Sequence, residues 1–200
     1  MRKIGEFFFK YRSYTPLPLI FIMILFINPT IISFIIGLFV AFSGELIRIW
    51  SVGYAGSETR TTESAGGSNL VTQGTYSKLR NPLYLGNIMI YTGIGIMSNS
   101  LFPYLQIFAL IYFYFQYYTI IITEEDYLAS TFKNSYDLYK KSVNKFIPLF
   151  SKVPIQIKSK LEFSLKEGLQ SEKRSLQAFI ITTTIILFFL ISGIRIIKIY

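Results

Sequence analysis

Two separated groups of residues carry the chemistry that this sequence could perform. The first group is the run at residues 70–86, LVTQGTYSKLRNPLYLG, and the second is the acidic pair Glu124 and Glu125. The stretch between them is apolar and long enough to enter a bilayer and return, so both groups are expected on one membrane face. This arrangement predicts a cofactor pocket.

The first group contains the signals of a helix start. Asn81 is a favoured N-cap and Pro82 is favoured at the first helical position. The free amide groups there, beside Arg80, form a candidate anion site. Gly86, one turn further on, leaves room for a ligand or a neighbouring backbone. The alternative interpretation is a capped membrane helix with an interfacial arginine.

The acidic pair is the candidate receptor for a cation. A ligand with both a carboxylate and an ammonium would bind Arg80 at one end and a glutamate at the other, and S-adenosylmethionine has these groups plus a sulfonium. Tyr76 and Tyr84 could pack their ring faces against the adenine or the sulfonium. Alternatively, Glu124 and Glu125 mark a helix end and the tyrosines belong to an interfacial aromatic belt.

The composition indicates an integral membrane protein. Of 200 residues, 52% are hydrophobic and 16% are charged, and the mean hydropathy is +0.44, which is too apolar for an ordinary soluble domain. The chain has no cysteine and no histidine, so disulfides, thiolates and the commonest metal ligand are excluded and no metal is expected. The net charge of +9 comes from residues that flank apolar blocks, which indicates lipid headgroups as partners and not nucleic acid.

The apolar blocks predict an all-α membrane protein with four to five transmembrane helices in two hairpins. The blocks lie at residues 17–27, 30–50, 82–97, 101–122 and 178–194. Asn28 and Pro29 form a turn within the first hairpin. No cleavage site follows the basic amino terminus, so we interpret it as an uncleaved anchor.

Polar segments connect these blocks. Residues 51–68 predict a loop outside the hydrocarbon. After the acidic pair, an apolar stripe at helical spacing predicts an amphipathic helix on the membrane surface or against the bundle. The stripe consists of Leu128, Phe132, Tyr136, Tyr139, Val143 and Phe146. Residues 151–174 predict a surface connector, so we divide the chain into a core with the pocket at residues 1–150 and a basic connector with an apolar helix at 151–200.

The positive-inside rule predicts the orientation. The basic amino terminus starts in the cytoplasm, so residues 51–80 and the acidic pair also face the cytoplasm. A crossing by the last block would leave Arg195 and Lys198 on the far side, so that block either crosses or lies in the interface. The small size and simple architecture favour a bacterial inner membrane.

The ordered motifs resemble the integral-membrane methyltransferases of the isoprenylcysteine carboxyl methyltransferase and phospholipid methyltransferase superfamily. The resemblance covers residues 46–148 and rests on the pattern LVTxGxYxxxRNPxYxG, then Glu-Glu, and then the aromatic stripe. It implies that the cytoplasmic ends of two adjacent membrane helices enclose S-adenosyl-L-methionine and that a lipophilic acceptor enters from the lipid.

The resemblance also implies roles for individual residues. The cofactor contacts that it assigns are Tyr76, Asn81, Pro82, Leu83 and Tyr84, with Leu70 and Val71 nearby and Glu124 and Glu125 as acidic partners. We add Gly86 to the cofactor set, and we expect Arg80 and Glu125 to be the catalytic residues.

Two departures from the family pattern limit the chemistry. The family usually has Arg-His-Pro where this chain has Arg80, Asn81 and Pro82, and an asparagine cannot titrate as an imidazole does. The prenylcysteine enzymes have an arginine one turn before the acidic cluster, where this chain has Ile120. A prenylcysteine carboxylate is therefore not supported as the acceptor.

The predicted function is S-adenosylmethionine-dependent methyl transfer to a lipophilic or membrane-associated acceptor. An in-line displacement needs alignment and exclusion of water, and an acceptor that must lose a proton needs a base, for which Glu125 or Glu63 is available. Glu45 and Arg48, three residues apart, form an ion pair that faces the bundle or belong to an acceptor channel. The alternatives are a phospholipid amine N-methyltransferase and a non-enzymatic transporter subunit or scaffold.

Overall fold

The computed structural model describes residues 2–56, 69–148, 153–159 and 161–197. These residues form six α-helices and two short 3-10 helices, with no strand among them. The α-helices are α1 Arg2–Tyr11, α2 Leu17–Leu25, α3 Ile31–Ala55, α4 Pro82–Ser98, α5 Tyr104–Ser142 and α6 Leu165–Ser192. The 3-10 helices are Gly74–Ser77 and Ile155–Ile157. Glu63, one of the two candidate bases, and Lys198 lie outside the described residues.

Three of the helices are long and apolar enough to cross a membrane. These are α3 with 25 residues, α5 with 39 and α6 with 28. The helix α4 has 17 residues and coincides with the predicted block at residues 82–97. The all-helical membrane character is thus confirmed for the described part of the chain, whereas the number of crossings and the pairing into hairpins stay predictions.

The helices α3 and α4 pack closely because small residues line their contact. A methyl group on Gly93 would lie 2.5 Å from the backbone nitrogen of Ala41, and one on Gly44 would lie 2.6 Å from the carbonyl oxygen of Gly86. Small residues are the usual means by which membrane helices approach backbone to backbone. The start of α4 is therefore held in a fixed place on α3.

The amino-terminal segment packs against α5. The contact is at Gly5 of α1, where a methyl group would lie 2.3 Å from the carbonyl oxygen of Thr119. The predicted anchor thus begins with a helix that covers α5, and this helix leads into Arg12 and Ser13 beside the pocket.

The acidic pair lies inside α5 and does not end it. The predicted membrane block and the predicted amphipathic helix form one element, whose single break is at Lys133, with φ 45° and ψ −124°. The apolar stripe beyond the break packs against the protein, since Tyr136, Tyr139 and Val143 are buried in contact with Leu70 and its neighbours. The stripe thus contacts connecting segments of the protein, and its place relative to the membrane stays a prediction.

The prediction of a surface connector at residues 151–174 is wrong for its second half. The helix α6 begins at Leu165, with the Ser164 hydroxyl accepting a hydrogen bond from the Glu167 amide, and it continues without a break into the last apolar block. It packs on α3, where a methyl group on Gly168 would lie 2.6 Å from the carbonyl oxygen of Ile49. An apolar stripe did not indicate this helix because residues 165–174 are mostly polar and only one narrow face is buried.

Candidate active site

A cavity of about 550 Å³ lies between the start of α4, the middle of α5 and the first half of α6. Most of the predicted site residues line it. They are Leu70, Val71, Tyr76, Arg80, Asn81, Pro82, Leu83, Tyr84 and Glu124. Gly86 and Glu125 are not among the lining residues. The two sequence groups, 38 or more residues apart in the chain, therefore meet at one site.

Glu124 faces this cavity from α5 and is tied to α4. The Tyr84 hydroxyl donates a hydrogen bond of 2.6 Å to Glu124 Oε1. The Tyr84 ring stacks on the ring of Tyr117, with 4.9 Å between the ring centroids. The hydrogen bond engages one carboxylate oxygen and fixes the side chain at the cavity.

The start of α4 presents backbone donors at the same cavity. Asn81 is the N-cap residue and Pro82 is the first helical residue, as predicted, but the Asn81 side chain makes no capping bond. Its amide nitrogen instead donates to the carbonyl oxygen of Lys145 at 3.2 Å. The amides of Leu83 and Tyr84 belong to the first turn, whose N–H groups have no partner within a helix. Both residues line the cavity.

Arg80 joins three parts of the chain. Its guanidinium donates to Glu125 Oε1 from Nε at 3.1 Å and from Nη2 at 2.8 Å. Nη1 donates to the carbonyl oxygens of Lys140 at 3.0 Å and Val143 at 2.6 Å. Four of the five N–H donors of an arginine are thereby used inside the protein. Arg80 therefore has little capacity left for the ligand carboxylate that the sequence assigned to it.

Glu125 lies behind the cavity wall. Its side chain is 8% exposed, and its second oxygen lies 3.0 Å from Lys145 Nζ. Both of its carboxylate oxygens are thus bound by cations, Arg80 on one and Lys145 on the other. The geometry thus gives Glu125 a different environment from Glu124, although the two residues are adjacent.

Gly86 serves the contact between helices. A methyl group there would lie 2.6 Å from Arg48 Cγ and 2.9 Å from the carbonyl oxygen of Gly44. Of the two reasons predicted for a glycine at this position, the structure has the close approach of a neighbouring helix.

Tyr76 lines the cavity from the 3-10 helix Gly74–Ser77. Its carbonyl oxygen accepts a hydrogen bond of 2.7 Å from the Tyr139 hydroxyl, which fixes the 3-10 helix on α5. Burial, and then the negative charge of Glu124, raise the pKa of the Tyr76 phenol. The phenol is therefore a neutral hydrogen-bonding group at physiological pH.

The sequence did not predict a second polar layer in the cavity. Arg48 of α3 and Glu172 of α6 form an ion pair of 2.7 Å, and Arg48 Nη1 also donates to the side-chain oxygen of Asn87. Tyr117, Asn87 and Tyr91 line the cavity at this level. One signal for Glu172 was available, because Gly168, Glu172, Ser175 and Phe179 recur at spacings of 4, 3 and 4, as on one helix face.

The structure gives Glu45 and Arg48 partners on α6 that the expected ion pair between them did not include. The salt bridge described above joins Arg48 to Glu172, which is 124 residues away in the chain. Glu45 is 1% exposed and accepts a hydrogen bond of 2.7 Å from the Ser175 hydroxyl. Both residues face the bundle, and both connect α3 to α6.

Comparisons with known proteins identify the family to which the region around this site belongs. A family model described as phospholipid methyltransferase matches residues 32–135, which include all of α4 and the acidic pair. The cobalt-zinc-cadmium resistance protein CzcN of Cupriavidus metallidurans is 34% identical over 104 residues, which are 52% of this chain and 44% of that protein. The protein-S-isoprenylcysteine O-methyltransferase of Schizosaccharomyces pombe is 38% identical over 80 residues, which are 40% of this chain and 33% of that protein. The matches thus span less than half the length of these relatives. No solved structure matches the chain significantly.

Proposed function

Because the chain belongs to the phospholipid methyltransferase family, we propose that it transfers a methyl group from S-adenosyl-L-methionine to a lipophilic or membrane-associated acceptor. A relative named as a protein-S-isoprenylcysteine O-methyltransferase supports methyl transfer. The two names refer to different acceptors, so the acceptor of this chain is a separate question. The basic amino terminus supports a cytoplasmic orientation of the cavity, in a bacterial inner membrane.

The observation that carries the proposal is the shared cavity of Glu124 and the α4 start. Its volume of about 550 Å³ lies within the range of about 300–1,000 Å³ that is usual for small-molecule sites. The residues present fit a zwitterionic methyl donor. Glu124 would hold its ammonium or its ribose hydroxyls, and the amides of Leu83 and Tyr84 would hold its carboxylate. Leu70 and Val71 supply an apolar wall for the adenine.

S-adenosyl-L-methionine, when bound, supplies an electrophilic methyl group on a sulfonium. The protein contributes alignment and exclusion of water, which are the main requirements of an in-line displacement. Tyr84 fixes Glu124 by its hydrogen bond of 2.6 Å, so the carboxylate does not have to be ordered when the ligand arrives.

We assign Arg80 and Glu125 to positioning and not to proton transfer. Their ion pair ties the residue before α4 to α5, and Arg80 also bonds the carbonyl groups at the end of α5. An acceptor that is already nucleophilic, such as a carboxylate or a thiolate, needs no base. A phospholipid amine needs to lose a proton first. An experiment must therefore decide which class of acceptor the protein uses.

The proposal is tested by labelling membranes that contain the protein with S-adenosylmethionine carrying a labelled methyl group. We expect label in the lipid fraction, either in amine headgroups or in base-labile esters, and the Glu124→Gln variant at equal abundance serves as the control. Equal labelling of membranes with the wild-type protein and with this variant would overturn the proposal.

A further inference from the structure

The cavity extends beyond the layer that we assign to the cofactor. Tyr84, Asn87 and Tyr91 line it from successive turns of α4. At 1.5 Å per residue, Asn87 lies about 4.5 Å and Tyr91 about 10.5 Å farther along the helix axis than Tyr84. The cavity therefore has a deeper part at the level of Asn87 and Tyr91, which we call the deeper compartment.

The wall of this deeper compartment on the α6 side is held by one buried ion pair. Glu172 is 0% exposed, and Arg48 donates to its carboxylate from Nε at 3.1 Å and from Nη2 at 2.9 and 2.7 Å. A carboxylate buried in this way is costly unless a cation is bound to it. The position of α6 thus depends on Arg48.

Other contacts follow the same line between α6 and α3. The Ser164 amide donates to the carbonyl oxygen of Gly53 at 2.9 Å, and Gly168 lies against Ile49. One turn beyond Glu172, Ser175 bonds Glu45 at 2.7 Å and also lines the cavity. Of these contacts, the ion pair is the one made by opposite charges at the cavity surface.

Arg48 is not available to bind an anionic group of an acceptor. Three of its hydrogen bonds go to Glu172 and one goes to Asn87, which leaves about one of its five N–H donors. Its role is to hold neighbouring elements in place. The side chains that a ligand in the deeper compartment would meet are Asn87, Tyr91 and Ser175.

We propose that the Arg48–Glu172 ion pair docks α6 as the wall of an acceptor compartment, which makes Glu172 a positioning residue that determines acceptor specificity. This inference rests on the proposed function. It adds that a segment outside the region matched by the family model, residues 32–135, selects the lipophilic acceptor. The residues that we assign to the methyl donor lie within that region, as do Asn87 and Tyr91, so a change at Glu172 should affect acceptor use more than donor binding.

The test separates these two dependences in the Glu172→Gln variant. We measure S-adenosylmethionine binding by calorimetry, and methyl transfer in phosphatidylcholine vesicles that contain increasing fractions of the host's total membrane lipid extract. We expect the Kd for the methyl donor to change by less than about threefold, while methyl transfer at low lipid fraction falls by about tenfold or more. Glu167→Gln, an exposed charge removed from the same helix, is the matched control and should change neither value.

Two results would overturn the inference. One is that methyl transfer by Glu172→Gln depends on lipid fraction as it does in the wild type. The other is that folded Glu172→Gln loses donor binding and methyl transfer to the same degree. If Glu172→Gln does not fold, Glu172→Asp keeps the charge and draws it back from Arg48, and the same difference between the two readouts is expected. If the wild-type protein shows no saturable binding of S-adenosylmethionine, both the proposed function and this inference fail. If Glu172→Gln binds the donor normally and its acceptor use is unaltered, only the role of Glu172 is refuted.

Discussion

Replacing Glu125 by glutamine should destabilise the protein far more than the same change at its neighbour Glu124. Glu125 is 8% exposed and binds two cations, with Arg80 Nη2 at 2.8 Å and Lys145 Nζ at 3.0 Å. Removing one member of a buried charge cluster costs about 3–5 kcal/mol, because the remaining charges lose their partner. Lys145 is 25% exposed and can reach solvent, so we expect a value near 3 kcal/mol, the lower end of that range.

The expected loss can be measured as a shift in Tm. For a chain of this length, 1 kcal/mol corresponds to about 2–4 °C, so Glu125→Gln should lower Tm by about 6–12 °C. Glu124 accepts a hydrogen bond from Tyr84, and a glutamine oxygen can still accept it. Glu124→Gln should therefore cost less than about 1 kcal/mol and shift Tm by less than about 4 °C. Far-ultraviolet circular dichroism of the purified protein in one detergent gives both values. Equal shifts for the two variants would refute the different roles assigned to the two glutamates.

Two further predictions concern the backbone. Gly93→Ala should destabilise by about 1–3 kcal/mol, because the added methyl group lies 2.5 Å from the Ala41 nitrogen, whereas Gly95→Ala on the same helix meets its nearest atom at 3.6 Å and should be neutral or slightly stabilising. Thermal unfolding of the two variants checks this, and a Gly93→Ala variant as stable as the wild type would contradict the close packing of α3 and α4. Lys133→Gly should stabilise by about 0.5–1 kcal/mol, since Lys133 has a φ of 45°, whereas Lys140→Gly within the regular helix should destabilise by a similar amount. A loss of stability in both variants would argue against the break in α5 at Lys133.

Local sequence signals were sufficient for the helix start and for the meeting of the two motifs. The Asn81-Pro82 pair predicted where α4 begins, and the apolar length between the motifs predicted that Glu124 lies beside that start. These sequence signals did not distinguish the role of Glu124 from the role of Glu125. Adjacent residues on a helix point about 100° apart, so one carboxylate faces the cavity while the other faces Arg80 and Lys145, but this depends on the rotation of α5 against α4.

The contribution of α6 was not predicted, although Gly168, Glu172 and Ser175 recur at helical spacing. Glu172 pairs with a residue 124 positions earlier in the chain, and the polar stretch around it resembles an exposed connector in composition. Arg80 illustrates the same limit in another way. Its type and place suggested an anion site, but the end of α5 returns to it in three dimensions and supplies carbonyl groups that use its donors.

The central claim is that Glu124 and the start of α4 together hold the methyl donor. Calorimetric titration of the purified wild-type protein and of Glu124→Gln with S-adenosyl-L-methionine tests it most directly. We predict saturable binding to the wild type and a Kd at least about tenfold weaker in the variant, corresponding to about 1.4 kcal/mol, with a Tm close to that of the wild type. No saturable binding to the wild type, or equal affinity in a folded Glu124→Gln protein, would contradict the account.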